Sequence, residues 1–191
     1  MPTHRKHRYP PLLIGFFALV AAAGLFFSPP FWLVALIAIC LFGASWLTRR
    51  KYALFFRGMY LLNQQKFEEA EAVFQAFLEK IRQRPDMKKG AKLWYYGAYT
   101  PDFEAMALNN LGVAKMAQEQ NIEATRYFEQ ALSIDTTYAK PHHNLAILAA
   151  ADGDKISAQE HFQKAVDLGY DGGNFDQFLE KIRDEYAKTF N

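Results

Sequence analysis

Cysteine is almost missing from this chain. Of 191 residues only Cys40 is one, so no intrachain disulfide is possible and the fold must hold by burial alone. Acidic residues are absent from the first fifty positions, whose charges are Arg5, Lys6, Arg8, Arg49 and Arg50. Those five set the overall balance of +2: the remaining 17 Lys and Arg stand against 20 Asp and Glu, so residues 51–191 carry −3. A net negative remainder argues against a nucleic-acid footprint there. The chain also lacks a Gly-rich phosphate loop, a Gly-x-Ser-x-Gly elbow and a Cys or His cluster at metal-ligand spacing. No catalytic residue, cofactor or metal is therefore nominated, and an enzyme is not expected. Proline is missing between Trp32 and Gln65, and Gly58 is the one glycine there after Gly43, so nothing marks a flexible linker.

What is present first is apolar length. Residues 1–10 form a basic tail around His4-Arg5-Lys6-His7-Arg8, and residues 11–47 hold two runs without charge, Pro11–Phe27 and Phe31–Leu47, separated by Ser28-Pro29-Pro30. Each run has 17 residues, about 25 Å as helix, slightly short of a hydrocarbon core of about 30 Å. Tyr9, Trp32 and Trp46 stand near the ends, where amphipathic rings favour headgroups. The expectation is a two-helix transmembrane hairpin in contact with a lipid bilayer. Basic residues flank its outer ends, which places both termini in the cytoplasm and suggests a bacterial plasma membrane. Small residues (Gly15, Ala18 and Ala22 on one run, Ala35, Ala38 and Gly43 on the other) would let the two helices approach. A cleaved signal near Ala21-Ala22-Ala23 and a re-entrant wedge in one leaflet are the competing readings. The second helix is expected to continue, with at most a slight bend, into the helix that follows.

The organising feature lies further on. Leu111-Gly112 recurs as Leu145-Ala146, Ala124 as Ala158, Phe128 as Phe162 and Ala131 as Ala165, each 34 residues apart and in one ungapped register. A constant period of that size marks a helix-turn-helix unit, which must stack on a neighbour to bury its apolar face. The pattern Leu108-x-x-Leu111-Gly112, then Ala124-x-x-x-Phe128-x-x-Ala131, resembles the tetratricopeptide repeat family.

That resemblance implies an all-α helical solenoid of about three repeats. A degenerate first repeat is expected over 51–84, with Ala70-x-x-x-Phe74 intact but Arg57 where the others have leucine. An aromatic insertion follows over 85–104, then repeats over 105–138 and 139–172, and a capping helix over 174–188. In the insertion Pro85 stops a helix, and Lys88, Lys89, Lys92, Trp94, Tyr95, Tyr96 and Tyr99 precede Thr100-Pro101, expected as cap and first residue of the next helix. Its aromatics are read as covering a widened seam, with a groove lid or a membrane foot as alternatives. At the end, Gly172-Gly173-Asn174 leads into an apolar stripe of Phe175, Phe178, Leu179, Ile182 and Tyr186.

In the family, the first helix of each repeat lines the concave face. The resemblance therefore implies Asn109, Asn110, Val113, Lys140, His143, Asn144 and Ile147 as partner-binding residues, a mix suited to a peptide segment. Some members clamp a chaperone's terminal carboxylate. Asn110 and Lys140 match that clamp, but Phe55, Met59 and Asn144 depart from it, so chaperone binding is not implied. His142, His143 and His161 are read as packing or groove-lining residues, not metal ligands, and Asp152-Gly153-Asp154 as the turn between paired helices. The expected role is a membrane-anchored adaptor or scaffold that holds a protein or peptide in its groove, aiding assembly of a membrane complex. The alternative is a structural membrane subunit whose hairpin is the main interface.

Overall fold

The structure, a computed structural model, describes residues 30–88, 100 and 102–189. Its contacts divide the chain into two units, residues 1–52 and 53–191. Among the described residues all regular structure is helical, with eight α-helices and no strand.

The described part of the first unit is one helix, α1, Phe31–Lys51. Here the sequence expectation is corrected. Among the described residues no helix is both long and apolar enough to cross a membrane. The physical reason is that the helix spends its last turn on Thr48-Arg49-Arg50-Lys51. The charge-free part left is about 25 Å long, against the roughly 30 Å of a hydrocarbon core. The other run, 11–27, lies outside the described residues. The two-span hairpin, its placement in a bacterial plasma membrane and its bilayer contact are therefore withdrawn. Helix α1 ends at Lys51, Tyr52 is a turn residue, and the next helix begins at Ala53.

The second unit is a stack of helix pairs. Helices α2 (Ala53–Asn63) and α3 (Phe67–Gln83) pack together, as do α4 (Phe103–Ala117) with α5 (Asn121–Ile134) and α6 (Ala139–Ala151) with α7 (Lys155–Asp167). The second helix of each pair meets the first helix of the next, and α8 (Phe175–Thr189) lies on α6. Within each pair a small residue admits a ring. A Cβ built on Gly58 would come 2.7 Å from Phe74, and one on Gly112 would come 2.4 Å from Phe128. In the third pair Ala146 and Phe162 share one buried cluster. The spacing of small residue and ring is the same each time, so α2 and α3 are packed as the sequence-matched pairs are.

The turns inside the pairs are built alike as well. Gln65, Glu119 and Gly153 have φ of 59°, 60° and 81°. In each case the next residue's N–H reaches back five residues: Lys66 to Leu61 O, Gln120 to Lys115 O and Asp154 to Ala149 O. This is the six-to-one bond of a Schellman stop, which occupies a carbonyl the helix end would otherwise leave unpaired. Asp154 then caps α7, its carboxylate accepting from Ser157 N at 3.0 Å and Ser157 Oγ at 2.6 Å.

Apolar seams join the pairs. Phe103, the first residue of α4, sits edge-on to Phe55 with ring centres 5.1 Å apart and also meets Phe77, closing the seam between the first and second pairs. Ala124, Phe128, Leu145 and Leu148 close the next one. Ala146, Phe162, Phe178 and Ile182 close the last, with Phe175 and Leu179 packed against them. The start of α4 differs from the expected Thr100-Pro101 cap. Asp102 is the cap, its Oδ1 accepting from Glu104 N and Ala105 N, because a carboxylate there meets two unpaired N–H groups and the helix dipole together. Buried Thr100 serves that cap, its Oγ1 accepting from Asp102 N. The expected aromatics Trp94, Tyr95, Tyr96 and Tyr99 lie outside the described residues. The two ends of the insertion are nonetheless held together. Phe103 N donates to Lys88 O at 2.7 Å, and Lys88 Nζ pairs with Glu104 Oε2 at 2.7 Å.

Candidate partner-binding face

The first helices α2, α4 and α6 lie side by side, with α4 touching both others. One repeat position on these helices is apolar throughout: Met59, Val113 and Ile147, all half-buried. Val113 rests on the Phe128–Leu145 seam, and Ile147 on the Phe162–Phe178 seam. Met116 of α4 and Ala150 of α6 rest on the same two seams, which bury their bulk beneath.

The two asparagines at the seam of the second and third pairs are brought together. Asn144 Nδ2 donates to Asn109 Oδ1 at 3.0 Å, and Asn109 is only 3% exposed. A buried amide oxygen left unpaired would cost about 1–3 kcal/mol, so this bond makes the joining of α4 to α6 specific. Asn109 thereby serves the joint beneath the surface, whereas Asn110 and Asn144 are half-buried and Lys140 is exposed. Further back, Glu71 of α3 binds α4 through Lys115 Nζ at 2.7 Å and Gln118 Nε2 at 3.3 Å.

His143 faces the last helix. Its ring stacks on Tyr170, with centres 4.2 Å apart and 25° between the planes, and meets Phe178 edge-on at 5.6 Å. Its Nδ1 is buried and makes no hydrogen bond to the protein. Burial, with Lys181 adding positive charge nearby, holds its pKa down to about 4, so the imidazole is neutral at physiological pH. Sequence spacing placed His143 on the groove-lining side of α6, but the aromatic pair that encloses it comes from residues folded back after α7.

His142, one residue earlier, faces α7 instead. Its Nδ1 lies 3.1 Å from Nδ1 of His161. Nothing in the spacing of these two residues announces the contact, because it depends on which faces α6 and α7 turn to each other. Of the seven residues expected on the face, all but the buried Asn109 keep some exposure on the row of first helices, Asn144 while bonded to Asn109. Asn109 and Asn144 are engaged with each other, and His143 with Tyr170.

Residues 103–169 match the family model described as Tetratricopeptide repeat. The matched segment runs from the first residue of α4 to the glycine just beyond α7, so the match covers the second and third helix pairs. No match is found among curated proteins or solved structures.

Proposed function

We propose that residues 53–184 act as a non-catalytic scaffold of three tetratricopeptide-like units sealed by α8, holding a peptide segment of a partner protein along α2, α4 and α6. Repeats of this kind generally serve protein–protein interaction, and the second and third units carry the family match. The observation behind this reading is the row Met59, Val113 and Ile147, one half-buried apolar side chain per unit, with Asn110, Asn144 and Lys140 on the same helices. Apolar side chains at a fixed repeat suit alternate side chains of a bound segment, amides suit its backbone, and Lys140 suits its carboxylates. Asn109 and His143 shape the row from beneath.

The test is site-specific photo-crosslinking of the full chain in its native cells. A crosslinker at Val113 or Ile147 should capture one discrete partner, and the same group at Arg126 or Gln163 on the second helices should not. Asn110→Ala combined with Lys140→Ala should reduce the capture about tenfold or more, the loss expected for one neutral and one charge-assisted hydrogen bond. Equal capture from both layers of helices would refute the reading.

A further inference from the structure

The chain has five histidines, and three of them, His142, His143 and His161, belong to the third helix pair, while residues 53–134 contain none. His142 and His161 form a contact of unusual chemistry. Their Nδ1 atoms are 3.1 Å apart and their ring centres 5.4 Å, with 33° between the planes. The centre separation equals the Nδ1 gap plus one ring radius on each side. The two nitrogens therefore point at each other along the line joining the rings.

That geometry decides between two uses of a histidine pair. A metal ion needs lone pairs that converge from an angle on a point off this line, and among the described residues no third ligand joins the pair. Head-on nitrogens instead fit a single N–H···N hydrogen bond, in which one ring carries its proton on Nδ1 and the other carries its proton on Nε2. The bond joins α6 to α7. A first added proton goes to the free Nε2 of the donor ring and leaves the bond in place, charge-assisted. A second must go to the acceptor Nδ1, where it sets two N–H groups and two positive charges face to face.

We propose that the His142–His161 pair is a proton-operated latch, closed by one shared hydrogen and opened by the second added proton, which frees α6 from α7 while the two preceding helix pairs stay folded. The surroundings favour opening on acidification. Lys164 on α7 adds positive charge to both rings, opposed by Glu160 beside both and by Glu129 of α5 beside His161. Glu160 is itself ion-paired with Lys164 at 2.7 Å, which blunts its help. Burial, the larger cause, and Lys164 hold both imidazoles below the ordinary histidine range, so the closed form prevails at neutral pH. His143 lies against Tyr170 and Phe178 instead and takes no part in the latch.

Two measurements on the full chain test this. Nitrogen-15 NMR of the imidazoles at neutral pH should show a coupling across the Nδ1–Nδ1 hydrogen bond, with one Nδ1 protonated and the other bare. The coupling should vanish at acid pH as the pair takes up its second proton. Amide hydrogen exchange, corrected for the intrinsic pH effect, should accelerate about tenfold or more in α6 and α7 as pH falls from neutral to well below the ordinary histidine range, but not in α4 and α5. In a His143→Phe background, which removes that ring's own titration, the acceleration should persist. It should disappear when His142→Gln and His161→Gln are added. No coupling, two independent titrations at the ordinary histidine value, equal acceleration across α4 to α7, or acid sensitivity surviving the glutamine pair would each overturn the proposal. Should the triple variant fail to fold, the NMR test on the unmodified chain decides alone.

Discussion

Replacing Gly112 by alanine should destabilise this chain, although alanine is the better helix former. A Cβ at position 112 would lie 2.4 Å from Phe128 Cε1, 2.6 Å from Cδ1 and 2.9 Å from Cζ. The ring cannot swing aside freely, because Phe128 is fully buried among Ala124, Leu145 and Leu148, two of which belong to the next helix pair. Helix propensity favours the substitution by about 1 kcal/mol, whereas overpacking a tight core costs about 1–3 kcal/mol. The balance is a net loss of up to about 2 kcal/mol. In the third pair the equivalent residue is Ala146, and there the glycine close to the ring is Gly172, whose Cβ would sit 3.0 Å from Phe162. Urea unfolding followed by far-UV circular dichroism should show a lower midpoint for Gly112→Ala at unchanged slope. Phe128→Leu, destabilising alone through its cavity, should recover part of the loss in the double variant, a coupling of about 1 kcal/mol. A Gly112→Ala protein as stable as the parent would refute the close helix approach on which this reasoning depends.

Two further outcomes follow from the turns and from the third pair. Glu119 holds φ of 60° without being glycine; Glu119→Gly should therefore be neutral or stabilising by up to about 1 kcal/mol in the same unfolding assay, since left-handed backbone costs a side chain about 1–2 kcal/mol and glycine's chain entropy returns part of that. His143, held down to about 4 against an unfolded value near 6.5, binds its proton more readily in the unfolded chain. Its contribution is complete above about pH 6.5 and is lost as pH falls toward 4, a change of at most about 3 kcal/mol. Stability measured across that window should fall less steeply for His143→Phe, which keeps the aromatic stack and cannot titrate.

The repeat was legible because its determinants are local and periodic. Gly112 with Phe128, and Ala146 with Phe162, stand at one spacing, and the first pair repeats it with Gly58 and Phe74 despite the interruption between. The contacts that refine the candidate face were not legible, for a physical reason. Asn109 meets Asn144 across two helices, and His143 meets Tyr170 only because the chain turns back after α7. Such pairs depend on the rotation of one helix against another, which a period of 34 leaves open. The cap of α4 was misplaced by two residues because Thr-Pro and Asp compete as start signals, and the ionised side chain with two backbone donors prevailed. Apolar content misled at the N-terminus. The run 31–47 has the composition of a span, yet the helix it forms ends in a basic turn and among the described residues no helix is long and apolar enough to cross a membrane.

The bond from Phe103 N to Lys88 O ties the end of the first helix pair to the start of the second. Helices α3 and α4 pack as neighbours beside this bond, which fixes where the chain leaves and rejoins the stack. Doubling the loop would cost only about 0.6 kcal/mol of closure entropy. A change in the number of residues between the two ends is therefore cheap in entropy as long as buried Thr100 and the cap Asp102 are kept. An experimenter could seat a fluorescent reporter or an affinity handle there on the same terms, leaving the row of first helices as it is.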